Sequence, residues 1–351
     1  MIRGLRPCAL CLAASAAVSP RPALAQQRKG ETAAVSPRPL ARPVRRGGWI
    51  VPAEGKAAMP VWGVDGGIAI GLWPMSGPRG LIRIYAPYLG HPPGRMINYV
   101  AVEPLIGGRR GLSELEQSAL DGAPGKRMWT TATLERSPRP ELPWRPVRPK
   151  LHRIGKAEAM TFFVCVEPFA GGARPIVQVT LRQDRPYEVA FRTFTATGGA
   201  KMDACDLTAT MGNYARLRRL WLKGGAVEAE KLWPGFVPRG PRLGGFARRR
   251  RWGAARMVAI GGEAIVSATP GEADPAGAAY DPNVPGPWRY RGRPAVQYWI
   301  TRQRSGLVVG VNGRTTYWNS RAAIPGGCPS RTSSCTPRSG TGRSSVSASR
   351  R

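Results

Sequence analysis

Two carboxylates stand in equivalent places in this chain. Glu103 lies in Val100-Ala101-Val102-Glu103-Pro104, and Glu167 in Val164-Cys165-Val166-Glu167-Pro168. Two carboxyls opposed across a cleft are what glycosidic cleavage uses, one as acid and the other as base or nucleophile. Glu103 and Glu167 are therefore the candidate catalytic pair. A Glu before Pro at a strand end also has a plainer role, solvated or bonded to a turn amide. Aromatic residues give a second candidate. Among 11 Trp, Trp288 and Tyr290 are spaced by two in a Gly/Pro-rich loop, where indole and phenol faces can stack on sugar C–H surfaces. The alternative is core packing. The third candidate is Arg248-Arg249-Arg250-Arg251, followed by Trp252, since adjacent guanidinium groups attract phosphate or sulfate. A solvated loop is the bland reading of the same run.

Other chemistries lack their residues. His91 and His152 are the only histidines, and neither has a Cys or carboxylate at ligand spacing. That argues against a zinc site or a His-based triad. Glu272, Asp274 and Asp281 are oxygen ligands without EF-hand spacing, and read as a solvated loop. No phosphate-cradling Gly loop or dinucleotide fingerprint is found. No metal and no cofactor are expected, and no motif fixes a reaction.

The charge of +32 invites a nucleic-acid reading, but its make-up argues against one. The basic residues are overwhelmingly Arg in an Ala-, Gly- and Pro-rich chain, the codon signature of a GC-rich genome. The charge is also diffuse, with +8 over residues 1–50, +5 over residues 326–351 and +19 across the body. Nucleic acid is not the expected partner. A glycan or an acidic polysaccharide is.

The ends differ from the body. Arg3 and Arg6 precede an apolar stretch from Pro7 to Val18, then Ala23-Leu24-Ala25. A basic start, a short apolar run and an A-x-A site describe a secretory signal peptide over 1–25, too short to span a bilayer. Residues 26–48 are Pro- and Arg-rich and read as a linker without a fold. Within them Ala33-Ala34-Val35-Ser36-Pro37-Arg38-Pro39 repeats Ala16-Ala17-Val18-Ser19-Pro20-Arg21-Pro22. Export leaves Cys165 and Cys205 in an oxidising compartment, where they could pair or stay free.

After Gly327 the chain turns to Ser, Arg, Thr, Pro and Cys without apolar periodicity. Residues 328–351 are expected to have no fold. A sharper reading is that they are out of frame. With permitted codons, a one-base shift across Gly327 reads Val-Ser-Phe-Glu-Asn-Phe-Glu. It continues as Leu-His-Ala-Pro-Phe-Arg-Asp-Gly-Gln-Glu-Phe-Arg-Phe-Gly-Val, a strand, a turn and a strand.

The body, 49–327, is strands and turns, as one sandwich or two fused halves. Val61–Val64, Asp65-Gly66-Gly67 and Ile68–Ile70 read as a hairpin, and Leu81–Tyr85 as a strand. Met257–Ile260, Gly261-Gly262-Glu263 and Ala264–Ala268 read as a second hairpin. Val296–Ile300 and Leu307–Val311 read as a third, with Asn312-Gly313 turning the chain into Arg314–Trp318. Tyr214–Leu222 is the one candidate helix, with Leu217, Leu220 and Trp221 on one side. The strongest internal signal is a repeat. Met96–Arg110 and Met160–Arg174 share V-x-V-E-P-x-x-G-G-x-R at an offset of 64 residues. Each copy reads as a strand, a Pro-started turn with Gly for positive φ, and a return strand. Duplication of a hairpin within a β-sandwich is the expected architecture.

Several stretches carry a resemblance: Gly71-Leu72-Trp73-Pro74, Gly77-Pro78-Arg79-Gly80-Leu81-Ile82-Arg83-Ile84-Tyr85-Ala86-Pro87-Tyr88, Asp206-Leu207-Thr208-Ala209-Thr210-Met211-Gly212-Asn213-Tyr214 and Tyr290-Arg291-Gly292-Arg293-Pro294. Together they resemble a family of secreted proteins of planctomycete bacteria, over roughly residues 59–327. The resemblance implies export and supplies no activity. The expectation is thus an all-β, secreted or periplasmic protein that binds or processes carbohydrate. The alternative is an envelope interaction protein that contacts acidic polymers.

Overall fold

The computed structural model describes residues 47–52, 60–72, 80–85, 96–111, 127–135, 147–211, 218–232, 250–270, 295–302, 307–314, 332–339 and 344–350. The strands are β1 (Trp49–Ile50), β2 (Val61–Val64), β3 (Ala69–Leu72), β4 (Leu81–Tyr85), β5 (Met96–Ile106), β6 (Arg109–Arg110) and β7 (Met128–Thr131). Next come β8 (Lys150–Ile154), β9 (Ala157–Val166), β10 (Pro175–Arg182), β11 (Glu188–Thr195), β12 (Ala204–Met211), β13 (Arg218–Leu222) and β14 (Gly225–Glu228). After α1 (Ala229–Leu232) follow β15 (Arg250–Gly253), β16 (Val258–Ile260), β17 (Glu263–Pro270), β18 (Ala295–Thr301), β19 (Val308–Arg314), β20 (Thr332–Ser339) and β21 (Ser344–Arg350). The protein is an all-β sandwich, and α1 is its one α-helix among the described residues.

The first sheet runs β1-β2-β3-β4-β5-β12-β20-β19-β15, with β6 beside β5. The second runs β14-β13-β17-β18-β21-β11-β10-β9-β7, with β16 on β17 and β8 on β9. Side chains alternate between the two faces of each strand, so every second residue of a strand can enter the interior. That period is visible throughout. Ile82 and Ile84, Val100 and Val102, and Cys205 and Leu207 come from the first sheet. Phe162, Val164 and Val166, Val177, Val179 and Leu181, and Val189 and Phe191 come from the second. All belong to one buried cluster. Trp62, fully buried, stacks on Phe162 across the sandwich at 4.4 Å between ring centroids. A smaller apolar cluster lies on the outer face of the second sheet, where Trp129, Phe163, Cys165 and Ile176 meet.

The repeat is realised as one copy per sheet. Val100 and Val102 of β5 and Val164 and Val166 of β9 share the interior. The two turns also touch. A Cβ placed on Gly111 would lie 2.7 Å from the Phe169 ring and 3.1 Å from Pro104. The turns themselves differ. In the first copy Pro104 lies inside β5, and Gly107 and Gly108 make the turn at φ 52° and 77°. In the second copy β9 ends at Val166, Pro168 lies beyond it, and Gly172 takes φ 79°.

Four expectations are corrected. Of the candidate helix Tyr214–Leu222, the described part, Arg218–Leu222, is not helical. Arg218–Leu222 is β13, because Leu220 and Leu222 enter the core at a period of two while Trp221 faces the other way. β18 and β19 are not a hairpin, because they lie in different sheets. Asn312-Gly313 is not a turn but part of β19, paired with Ser334 and Ser333. The tail is not without a fold. β20 pairs with β12 and β19, and β21 pairs with β11 and β18. These are the only ladders joining two blocks of strands among the described residues. One block is built from residues 49–211 and the other from residues 218–314.

Candidate functional site

The candidate carboxylates belong to the two copies of the repeat, one copy in each sheet. In β5 the core residues are Val100 and Val102, so Glu103 falls on the outer face of the first sheet. In β9 they are Phe162, Val164 and Val166, so Glu167 follows the outer-facing Cys165 on the second sheet. The two copies face each other through their valines. Glu103 lies within β5 at outer-face parity, and Glu167 lies just past the end of β9.

Each carboxylate has its own arginine. Arg127 donates from Nε to Glu167 Oε1 at 2.9 Å and from Nη2 at 2.5 Å, and its side chain is mostly exposed. Glu103 is 3% exposed and stands in register with Asp206 of β12, also 3% exposed. Like charges directly opposite one another on a ladder repel. Arg110 resolves this. One guanidinium nitrogen donates to Glu103 Oε2 at 2.6 Å and to Asp206 Oδ2 at 2.5 Å. Burial pulls the Arg110 pKa down. The hydrogen bond and charge of Asp206, then those of Glu103, outweigh this and hold it above the ordinary arginine value. The positive φ of Gly107 and Gly108 folds β6 back so that Arg110 can reach both acids.

The same outer face carries Arg83 and Tyr85 of β4, both buried. Burial lowers the Arg83 pKa, partly offset by Tyr85, and raises that of Tyr85, partly offset by Arg83. This polar face, centred on Glu103, Arg110 and Asp206, went unread in the sequence apart from Glu103. Arg110 was visible as the last residue of the repeat frame. Asp206 needed the β5–β12 register, which no local pattern gives.

The other candidates divide. Arg248, Arg249, Trp288 and Tyr290 lie outside the described residues, as do residues 1–46 and the acidic loop. Arg250 and Arg251 are exposed on β15, the edge strand of the first sheet. Trp252, next in the strand, is in register with Val309 and packs against the main core. Arg250 donates to the Leu232 carbonyl at the end of α1, at 3.1 Å and 3.3 Å. Of the described tryptophans, Trp62, Trp129 and Trp299 are buried, and Trp49, Trp221 and Trp252 are half-buried. Cys165 and Cys205 are both buried and unpaired, one on the outer face of the second sheet and the other inside. Burial raises both thiol pKa values, that of Cys165 to about 12.

These features define an antiparallel β-sandwich with two buried acids, Glu103 and Asp206, clamped by the more exposed Arg110 on one outer face, and an arginine-bearing edge strand. Compared with known proteins, the chain matches no family model, no curated protein and no solved structure. No helix of the described residues is long and apolar enough to cross a membrane.

Proposed function

We propose that this is an exported binding protein of the cell envelope that contacts acidic polysaccharide through strand β15 and the arginine run leading into it. The observation that carries the reading is the pairing of exposed Arg250 and Arg251 with a neighbouring, half-buried Trp252 packed against the core. An edge strand anchored in this way holds guanidinium groups at fixed spacing on a rigid element. Planar guanidinium forks match carboxylate and sulfate groups well. The leader supports export, as does the resemblance to secreted planctomycete proteins. A charged edge also discourages strand-to-strand aggregation, and this role is compatible with binding.

The test is retention on immobilised heparin beside a screen of neutral glycans. The protein should be retained on heparin and released by salt, because exposed charges are screened. Arg250→Ser with Arg251→Ser should elute at clearly lower salt. Arg153→Ser with Lys156→Ser removes the same charge from another exposed site, the β8–β9 hairpin, and should elute close to the parent. Equal shifts for the two double variants would reduce the effect to net charge and defeat the reading. So would neutral-glycan binding without heparin retention.

A further inference from the structure

We propose that the slot between β12 and β19, and between β11 and β18, is built for a C-terminal arch with alternating apolar residues, and that residues 328–351 are the out-of-frame translation of that arch. β20 and β21 occupy central places in two sheets whose flanking strands send large apolar residues inward. The register fixes which tail positions lie in the core rows. Ser339 pairs with Cys205 and Pro337 with Val309, both flanking residues belonging to the core. Cys335 and Ser333 continue that row set by parity. In β21, Ser344 pairs with Phe191, and Val346 pairs with both Val189 and Trp299. The core rows of the tail therefore read Ser, Cys, Pro, Ser in β20 and begin Ser, Val in β21. Small hydroxyl residues cannot fill an interior lined by Phe191, Leu207 and Trp299. Pro337 has no N–H to give a central ladder.

The genetic code turns this mismatch into a pattern. Consider the frame in which the first base of each present codon becomes the middle base. A Cys codon, or a Ser codon of the TCN type, then puts T in the middle. Every such triplet encodes Phe, Leu, Ile, Met or Val, whatever base precedes it. A Thr codon puts A in the middle followed by C, which encodes Tyr, His, Asn or Asp. With TCN codons at 333 and 339 and an AGY codon at 334, Ser333, Cys335 and Ser339 become apolar and Ser334 becomes polar, whereas Thr332 and Thr336 become polar whatever their codons. The reading Asn-Phe-Glu-Leu-His-Ala-Pro-Phe over 332–339 amounts to Ser333→Phe, Cys335→Leu, Pro337→Ala and Ser339→Phe. All four fall in the core rows that the backbone register defines. Polar residues, and a proline at 338, take the opposite face. The second strand, Glu-Phe-Arg-Phe-Gly-Val over 344–349, alternates as well. Its apolar residues fall at 345, 347 and 349, so it would pair one residue along from the present register.

Two measurements test this. The gene's nucleotides across codons 327–350 should show TCN codons at 333 and 339 and a shifted frame free of stops. AGY codons at those positions, or a stop before 349, overturn the proposal. The full chain should then be compared with the same chain carrying the shifted-frame sequence from 328 onward. The restored protein should show a sharp unfolding transition with Tm higher by about 10 °C or more, and several-fold less binding of a hydrophobic dye. A third variant places the four apolar residues at 332, 334, 336 and 338 instead, and should gain nothing. A restored chain that melts no higher than the parent, or lacks a cooperative transition, refutes the proposal. An equal gain from the parity-swapped variant does the same.

Discussion

Arg110 is the residue on which the polar face turns. It compensates two carboxylates that are almost fully buried, and removing one partner of such a group leaves uncompensated charge. Arg110→Ala should cost about 3–5 kcal/mol at neutral pH, measured by urea unfolding. A loss below about 1 kcal/mol would mean that the two acids do not depend on Arg110. The thiols make a second case. The Cys165 pKa is raised to about 12, so in the folded state the thiol keeps its proton while an unfolded thiol gives it up near the ordinary thiol value of 9.0. The stabilisation is full below the unfolded value and is lost as pH rises through the folded one. Alkylation at pH 8 should be slow in the native protein and fast for both cysteines in denaturant. Rapid native labelling of either one would contradict their burial. Cys165 could be read from sequence as a strand residue, but not as facing outward into a second apolar cluster. That depended on which parity of β9 met the interior.

At the scale of elements, the local signals were the legible ones. Alternation at Val61–Ile70, at Leu81–Tyr85 and at Met257–Ala268 gave strands, and Gly-rich turns gave their reversals. Failures came where partners are remote. Val296–Ile300 and Leu307–Val311 look like a hairpin because they are close in sequence, yet they cross between sheets. Asn312-Gly313 carries a turn signature that tertiary pairing overrides. At Leu220 and Leu222 a short apolar run fits either a helix or a strand, and only the ladder to β14 and β17 decides. The β2–β3 turn also shows an element locked by a distant neighbour. Ile68 donates its N–H to the Pro186 carbonyl at 2.6 Å, and a Cβ on Gly67 would lie 2.3 Å from that same oxygen. Gly67→Ala should therefore destabilise by about 1–3 kcal/mol through forced displacement of backbone, read as a lower Tm with the fold retained. A neutral Gly67→Ala would show that the two turns are not in contact.

For the whole molecule, the repeat explains how the interior is shared. One copy lies in each sheet, and what the two copies bring inside is apolar. Trp62 on Phe162 is the centre of that shared interior. Trp62→Ala should cost about 3–5 kcal/mol in equilibrium unfolding, with one transition if the two sheets unfold together. Two separated transitions would mean that each sheet holds some structure alone. The place of the tail has a consequence for biogenesis. β20 and β21 follow all their ladder partners along the chain. A nascent protein emerging from the ribosome must therefore keep four open strand edges, on β11, β12, β18 and β19, until the closing arch is delivered. Any interruption of synthesis before that point leaves a particle primed to capture strands from its neighbours, and so chaperone protection is needed most in that interval.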